Sequence, residues 1–538
     1  MAASMSDAPG SPACASRAGL GGGRSLGTEY LIVLALSLLL YWLSAAPGVL
    51  WQDNGMAQIR AMIGDLTGER GLALSHPLFY LIAMAFQHIP FGEPAFRVTL
   101  VAVVFGALTV ANLYLLLRQV PDAAQRRQIA PASRGRTPAV AGALSLAVAH
   151  TFWQHSAMAE TYTLYAAALT TELLLLVRYF QSPSAGWLAL LFLVNGLGVS
   201  VHLLALLDLA VIGSLLVWLV VRRRVSPAWT ALCGLAWLAG ASIYVALVLR
   251  EWACGVPLAT VVHSALFGDF AHHVLNVRVT ARMLLNFALY MGLNFPTPSA
   301  LIAVLGLLHL RHLPCRPLAA CIAGLLGIHA LWVVRYSVVD QYTFFIPTII
   351  LTAALIGLGA SAFLAHRGRI ARAGVLVGCL LPVPVYAALP AVIAGLGLRG
   401  LVPSRVVPYR DELHYYLWPW KAGYRGPERL AAEIHRTLPD GAYLLADSTC
   451  SWAMHYLRLR GQWTKNITVW PPIRWAGDRE DRRYEHVAPW LTAGKLYAVA
   501  PRAAYCPAWL LAGYDFEPAG AVFRVRGPDE STSRSVPP

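Results

Sequence analysis

Apolar residues come in long runs along most of this chain, and its polar residues gather into short clusters between them. Runs of spanning or near-spanning length are predicted at about 29–49, 95–117, 138–153, 161–177, 186–201, 203–221, 228–249, 297–310, 318–336, 342–364 and 373–397. The run at 78–92 is shorter and ends in His88-Ile89-Pro90, which reads as an interfacial or re-entrant helix. A similar interfacial piece is predicted just before the Pro296–Pro298 break. Directly after the first run comes Trp51 to Pro77, WQDNGMAQIRAMIGDLTGERGLALSHP. It carries Asp53, Arg60, Asp65, Glu69, Arg70 and His76 in a chain otherwise poor in charge.

After residue 398 the pattern changes. Short alternating segments separated by turns replace the long runs: AYLLADS, NITVW, KLYAVA and AVFRVR read as strands, and SWAMHYLRLRG as an amphipathic helix closed by Gly461. The expected architecture is therefore a multispan α-helical membrane domain of about eleven transmembrane helices over residues 29–397, with a loop at 50–94, followed by a small α/β domain at 398–526. Residues 1–28 and 527–538, rich in small and polar residues, read as disordered tails.

Composition agrees with that pattern. The chain has 538 residues, 57% of them hydrophobic and 13% charged, and a mean hydropathy of +0.56. The formal net charge of +15 raises the question of nucleic acid. The basic residues instead sit in short clusters such as Arg118–Arg136, Arg222–Arg224 and His366–Arg372, between apolar runs. That is the signature of cytosolic loops in a multispan protein, so a nucleic-acid partner is set aside. One orientation satisfies every cluster. It puts the N-terminus in the cytosol, and the 50–94 loop, the 154–160 turn, the 250–280 loop, the Asp340 turn and the C-terminal domain on the opposite face. The expected location is a bacterial inner membrane. The first run is read as a retained helix rather than a cleaved signal.

The eight cysteines show no zinc spacing. Cys450 and Cys506 fall together in the C-terminal domain and are a candidate pair. No Walker A loop, GxGxxG or HExxH is present, which weighs against a nucleotide-driven pump, a dinucleotide enzyme and a zincin protease. Asn466-Ile467-Thr468 is a glycosylation sequon, meaningful only in a compartment that modifies it.

A carboxylate at membrane depth is costly, so each one needs a partner or a purpose. Asp53, Glu160 and Asp340 fall at the same ends of their spans, near one membrane plane, although they are far apart in sequence. Asp53-Asn54-Gly55 is also strong turn chemistry, and Asp53 or Asn54 can cap the helical segment after it. His76-Pro77 opens a short apolar helix. Glu160 lies beside Trp153 and Tyr162, and His202 sits at the junction of two runs. Glu172 and Asp208 lie inside runs and read as structural. Arg97, Arg278, Arg282 and Arg335 are candidate phosphate partners, because the planar guanidinium fork suits phosphate.

Five stretches in order carry a resemblance: Trp51-Gln52-Asp53-Asn54-Gly55; Ser75-His76-Pro77-Leu78; Thr151-Phe152-Trp153 with Ala159-Glu160-Thr161-Tyr162-Thr163-Leu164; Gly196-Leu197-Gly198 with His202; and Asp340-Gln341-Tyr342 with Phe344, Phe345 and Pro347. Over roughly residues 30–360 the chain resembles the GT-C superfamily of integral membrane glycosyltransferases. Within it, the chain is similar to the protein O-mannosyltransferase-like group (the TMEM260/DUF2723 type). Two departures stand out. Met56 occupies the place of a second acid in relatives, and Leu78-Phe79 replaces Pro-Gly after His76-Pro77. The first removes a carboxylate that a paired-acid, metal-assisted mechanism would use.

The resemblance implies transfer of a sugar, mannose being its own expectation, from a polyprenyl-phosphate donor to an acceptor hydroxyl on protein or glycan. It implies contact with membrane lipid and no nucleotide. A divalent metal is the one candidate cofactor, with no metal ligands assigned. On this basis Asp53, His76 and Glu160 are the candidate catalytic residues, with Asp53 as general base. Asn54, Arg97, Trp153, Tyr162, His202, Arg335, Asp340 and Tyr342 are the candidate substrate-binding residues. Two rival readings remain beside it. One is a transporter or flippase of lipid-linked glycans, which predicts inverted repeats and broken helices at the midplane. The other is a non-catalytic relative that binds a lipid phosphate.

Overall fold

The structure, a computed structural model, describes residues 23–68, 71–120, 135–401, 405, 407–470, 487–503 and 505–527. The expected tails (apart from residues 23–28 and 527), most of the basic loop after Arg118, and Glu69 and Arg70 lie outside the described residues.

The apolar runs fold as helices. They are α1 (Gly23–Ser44), α2 (Gln52–Ile63), α3 (Pro77–Phe86), α4 (Pro94–Gln119), α5 (Arg136–Ala147), α6 (His150–Ser156), α7 (Tyr162–Gln181), α8 (Ala185–Val201) and α9 (Ala205–Val221). The bundle continues with α10 (Pro227–Ala253), α11 (Leu258–Leu266), α12 (Ala271–Val274), α13 (Ala281–Asn294), α14 (Ser299–His309), α15 (Arg316–Arg335), α16 (Ile346–Leu364), α17 (Arg369–Leu380) and α18 (Pro382–Gly395). Among the described residues, seven helical segments are long and apolar enough to cross a membrane. The pair Ala281–Asn294 and Ser299–His312, bent by 109°, adds an eighth.

The difference from eleven expected crossings has specific causes. α8 and α9 have 17 residues each, the lower edge of spanning length. The run predicted at 138–153 breaks between α5 and α6, where Ala149 is extended. The break is stabilised from afar: the His150 N–H donates to the Tyr386 hydroxyl at 3.2 Å and the Thr151 N–H to Asn294 Oδ1 at 2.8 Å. A broken helix at membrane depth requires such partners. The predicted span at 297–310 and the interfacial piece before it are the two arms of the bent pair.

Of the spanning-length segments, Gln341–Leu364 is the most enclosed, with 89% of its apolar stretch buried, whereas α1 presents Leu31, Leu36 and Leu43 outward. That contrast marks one as the centre of the bundle and the other as a lipid-facing wall. α8 and α10 cross in close contact at Gly196 and Gly240. A Cβ on Gly196 would lie 2.2 Å from the Trp237 carbonyl oxygen, so the helices reach this distance only with small residues at the crossing.

The C-terminal region adds α19 (Glu412–Leu417), α20 (Gly426–Thr437), β1 (Tyr443–Leu445), α21 (Ser451–Leu459), β2 (Thr468–Trp470), β3 (Leu496–Ala498), α22 (Ala508–Gly513), β4 (Asp515–Ala519) and β5 (Val522–Arg526). The sheet order is β2-β1-β3-β5-β4. β1 pairs in parallel with β2 and β3, while β5 runs antiparallel to β3 and β4. Each predicted strand segment contains a strand, and β4 is an addition at the sheet edge. Cys450 and Cys506 are both free and buried, so the candidate pair does not form.

The opening stretch enters the C-terminal core. Val49, Leu50, Trp51 and Ile59 belong to the same apolar cluster as Leu430, Ile434, Leu444 and Leu496. Trp51 is fully buried there, and its Nε1 donates to the Tyr424 hydroxyl at 2.5 Å. Polar links reinforce the join. Lys421 N–H donates to the Ser44 carbonyl at 2.8 Å, and Arg425 pairs with Glu93 at 3.0 Å.

Candidate active site

A cavity of about 1110 Å³ lies where α2, α9, α15 and the turn before α7 meet the C-terminal sheet. Such a volume is at the upper end for small-molecule sites. Its lining is mixed in character. Leu203, Leu206, Leu207, Phe267, Trp332 and Phe344 contribute apolar surface. Asp53, Glu160, Asp340, His76, Arg60 and Arg405 contribute charge and polarity.

Asp53 stands in the first turn of α2, where a negative charge complements the helix dipole. The residues around it are tightly held. Trp51 is anchored as described, and the Gln52 N–H donates to the Thr449 carbonyl at 3.2 Å. Arg410 donates to Gln52 Oε1 at 3.1 Å. A Cβ on Gly55 would lie 2.4 Å from the Leu50 oxygen and 3.0 Å from Trp452 Cβ, so glycine lets α2 approach the C-terminal domain here. Asn54 Nδ2 then ties α2 to the turn before α7, donating to Glu160 Oε1 at 2.8 Å and to the Ala159 carbonyl at 3.0 Å.

Glu160 lies outside the spanning helices, in that turn. Burial, and then the charges of Asp53 and Asp340, push its carboxyl up to about 8, against the smaller opposing effect of the Asn54 hydrogen bond. At neutral pH it therefore holds its proton while sharing the cavity with two further carboxyl groups.

His76 and Gln52 both adopt left-handed backbone, with φ of 50° and 54°. That conformation is uncommon for residues other than glycine and tends to cluster at functional sites. His76 Nδ1 donates to the Val201 carbonyl at 2.7 Å, which leaves Nε2 as an acceptor. Its ring stacks on His202 with centroids 5.1 Å apart, and Tyr162 lies 5.0 Å from His202.

Six of the expected residues, Asp53, His76, Glu160, Tyr162, His202 and Asp340, thus line one cavity, and Asn54 holds Glu160. The other four are not among its lining residues. Arg97 donates to the Phe91 and Gln87 carbonyls at the start of α4. Trp153 donates to Ser44 Oγ and packs edge-on against Trp418 and Trp420. Tyr342 packs between His155 and Tyr416. Arg335 lies behind the wall, over the Trp332 ring, donating to the Val274 and Asn276 carbonyls.

Among the described residues, the guanidiniums that line the cavity are those of Arg60 and Arg405. Arg60 is buried and donates to the Tyr80 hydroxyl at 2.9 Å and the Ser75 carbonyl at 3.1 Å, with Asp65 at 3.2 Å. Its signal in the sequence is an arginine inside a helical segment, with an acid five residues on and a tyrosine twenty on. Among the described residues no group of three or more His, Cys, Asp or Glu converges to hold a metal ion. The residues present therefore do not form a ready metal site.

Residues 74–226 match the model of the protein O-mannosyl-transferase TMEM260 N-terminal domain. Comparison with curated protein sequences gives no match. In fold, the chain is similar to ArnT from Cupriavidus metallidurans, whose crystal structure is bound to undecaprenyl phosphate. The TM-score is 0.54 at 14% identity, over 93% of this chain and 99% of that one. A likeness to the arabinofuranosyltransferase AftD from Mycobacteria has a TM-score of 0.43 at 14% identity and covers 94% of this chain and 40% of that one. Over residues 74–226 the chain is thus similar to the protein O-mannosyl-transferase TMEM260 N-terminal domain, and across nearly its whole length it shares the fold of ArnT.

Proposed function

We propose that the chain moves a sugar, with mannose the first candidate, from a polyprenyl-phosphate donor to an acceptor hydroxyl in the cavity beside Asp53. The carrying observation is one cavity lined by both apolar and charged side chains. Its apolar side chains suit the isoprenoid next to the phosphate, and its carboxylates and guanidiniums suit the head group. The undecaprenyl phosphate bound to ArnT, which shares this fold, supports a polyprenyl phosphate as the lipid partner. The basic clusters support an N-terminus in the cytosol and a cavity on the opposite face of a bacterial inner membrane.

The reaction is a single displacement. The acceptor oxygen attacks the anomeric carbon, and its proton passes to the Asp53 carboxylate. The bond from the anomeric carbon to the phosphate oxygen breaks through an oxocarbenium-like transition state. Polyprenyl phosphate leaves with the electron pair, and the guanidinium of Arg60 favours the departing anion. Protonated Glu160 keeps a further negative charge away from that phosphate. No step here is assigned to a metal ion.

The test is purified protein in detergent with a panel of polyprenyl-phosphate sugars, following loss of donor and appearance of free or transferred sugar. A protein that consumes none of them is not this enzyme. A pH profile gives a second check. Activity is expected to fall as pH rises through about 8, where Glu160 loses its proton beside Asp53 and Asp340. The sign follows from a folded-state value above the ordinary 4.5. The stabilisation that comes from burying the neutral acid is complete below 4.5 and lost as pH passes about 8. Glu160→Gln, permanently neutral, is expected to stay active at pH 7 and to lack that alkaline fall. A fall retained in the variant assigns it to another group.

A further inference from the structure

We propose that the turn Asp447-Ser448-Thr449, with Arg405 and Trp452, is the acceptor subsite of this enzyme, and that it takes a saccharide. The inference rests on the transferase reading above and names the acceptor class for it.

Topology is the first argument. β1 and β3 lie side by side and run parallel, and the residues that follow them, Asp447, Ser448 and Ala503, line the cavity. In open α/β sheets, ligands lie beyond the carboxyl ends of the parallel strands. The sheet therefore presents its ligand-binding end to the same space as Asp53.

Register with the base is the second. The Gln52 N–H donates to the Thr449 carbonyl at 3.2 Å, and Gly55 lies against Trp452. The carboxylate that would take the proton is thus one residue from a backbone bond to this turn. An acceptor held on the turn presents its hydroxyl beside Asp53.

Chemistry is the third. Asp447 is occupied in shaping the turn: it accepts the Thr449 N–H at 2.8 Å, the Thr449 hydroxyl at 2.7 Å and Arg405 at 3.1 Å. Only one guanidinium nitrogen of Arg405 makes these contacts, to Asp447 and to Thr449 Oγ1 at 2.5 Å, and the side chain is 32% exposed. Among the described residues, Arg405, Asp447, Ser448, Trp452 and Ala503 line the cavity here, which brings a guanidinium, a serine and a tryptophan to its wall. Guanidinium and hydroxyl donors match sugar hydroxyl oxygens, and an aromatic ring matches a sugar's C–H surface. An extended peptide would more readily use a free sheet edge, and the edges here are β2 and β4, not the strand ends at the cavity.

The experiment measures how the donor sugar is partitioned. Purified full-length protein is given the donor it consumes, with methyl α-mannoside or a Ser/Thr-containing peptide, and hydrolysis and transfer are counted in the same sample. The wild type is expected to glycosylate the mannoside. Arg405→Ala and Ser448→Ala are expected to lower the ratio of transfer to hydrolysis, by about ten-fold for arginine, the size of a lost charge-assisted hydrogen bond, with partial recovery in Arg405→Lys. A ratio within one sample does not depend on how much protein is folded. Ratios unchanged in both alanine variants, hydrolysis without transfer, or transfer to the peptide and not to the mannoside each overturn the subsite. A wild type that leaves every donor intact rejects the transferase reading itself, and is distinguished from those outcomes by the absence of hydrolysis.

Discussion

Asp53→Asn is expected to lower sugar transfer by about 10³-fold, within the range that a positioned general base contributes. That corresponds to about 4 kcal/mol of transition-state stabilisation. The substitution preserves the size of the side chain and removes its ability to take a proton. The surroundings remain intact, because the local backbone is fixed by Trp51, Gln52 and Asn54 rather than by Asp53 alone. Thermal unfolding in detergent is therefore expected to match the wild type while turnover collapses. Transfer within a few-fold of wild type would remove Asp53 as base and shift attention to His76. The Nε2 of His76 is an acceptor, and burial pushes its imidazole down to about 4, so it is neutral at physiological pH.

What could be read from the sequence followed the cost of charge near a membrane. Asp53, Glu160 and Asp340 stood out as acids at the ends of apolar runs, and the fold brings all three to one cavity. Asp53-Asn54-Gly55 also carries turn chemistry, yet it folds as the start of α2. Gly55 serves the approach of Trp452, some four hundred residues later in the chain, and no local signal announces that. The break at Ala149 was equally silent. LAVAHTF contains neither Pro nor Gly, and the freed N–H groups find Tyr386 and Asn294 from distant helices. β4 was missed because Pro518 argues against a strand, and it is tolerated there because β4 is the edge. Arg405 and Asp447 were missed for a different reason. The candidate site residues of the sequence all precede residue 398, whereas the strand-end rule applied to AYLLADST marks the turn as a ligand position.

His329→Ala is expected to destabilise the helical bundle by about 3 kcal/mol, the lower range for removing one partner of a buried carboxyl and imidazole pair. The imidazole Nε2 lies 2.6 Å from Asp208 Oδ1, and the Tyr165 hydroxyl donates to the other oxygen at 2.8 Å. Both members of the pair are almost fully buried, with Asp208 on α9 and His329 on α15. A neighbouring carboxyl, Glu172, is held by Asn195 Nδ2 at 3.1 Å, and Asn195 Oδ1 in turn accepts from Trp237. Deleting the imidazole leaves Asp208 with the tyrosine alone in an apolar enclosure, next to another acid. Unfolding midpoints in detergent, compared with those of the double variant Asp208→Leu/His329→Leu, separate two accounts. If the imidazole compensates the buried carboxyl, the single variant loses about 3 kcal/mol and the double variant recovers most of it, since two well-packed apolar side chains no longer need compensation. If the pair is an ordinary intramembrane hydrogen bond, the single variant loses only about 0.6 kcal/mol and the double variant recovers nothing. The first outcome is the expected one, because Asp208 is fully buried with its oxygens on His329 and Tyr165, at the first turn of α9 next to leucines that line the cavity. A rigid link from α9 to α15 there fixes the wall against which the donor lipid is to lie.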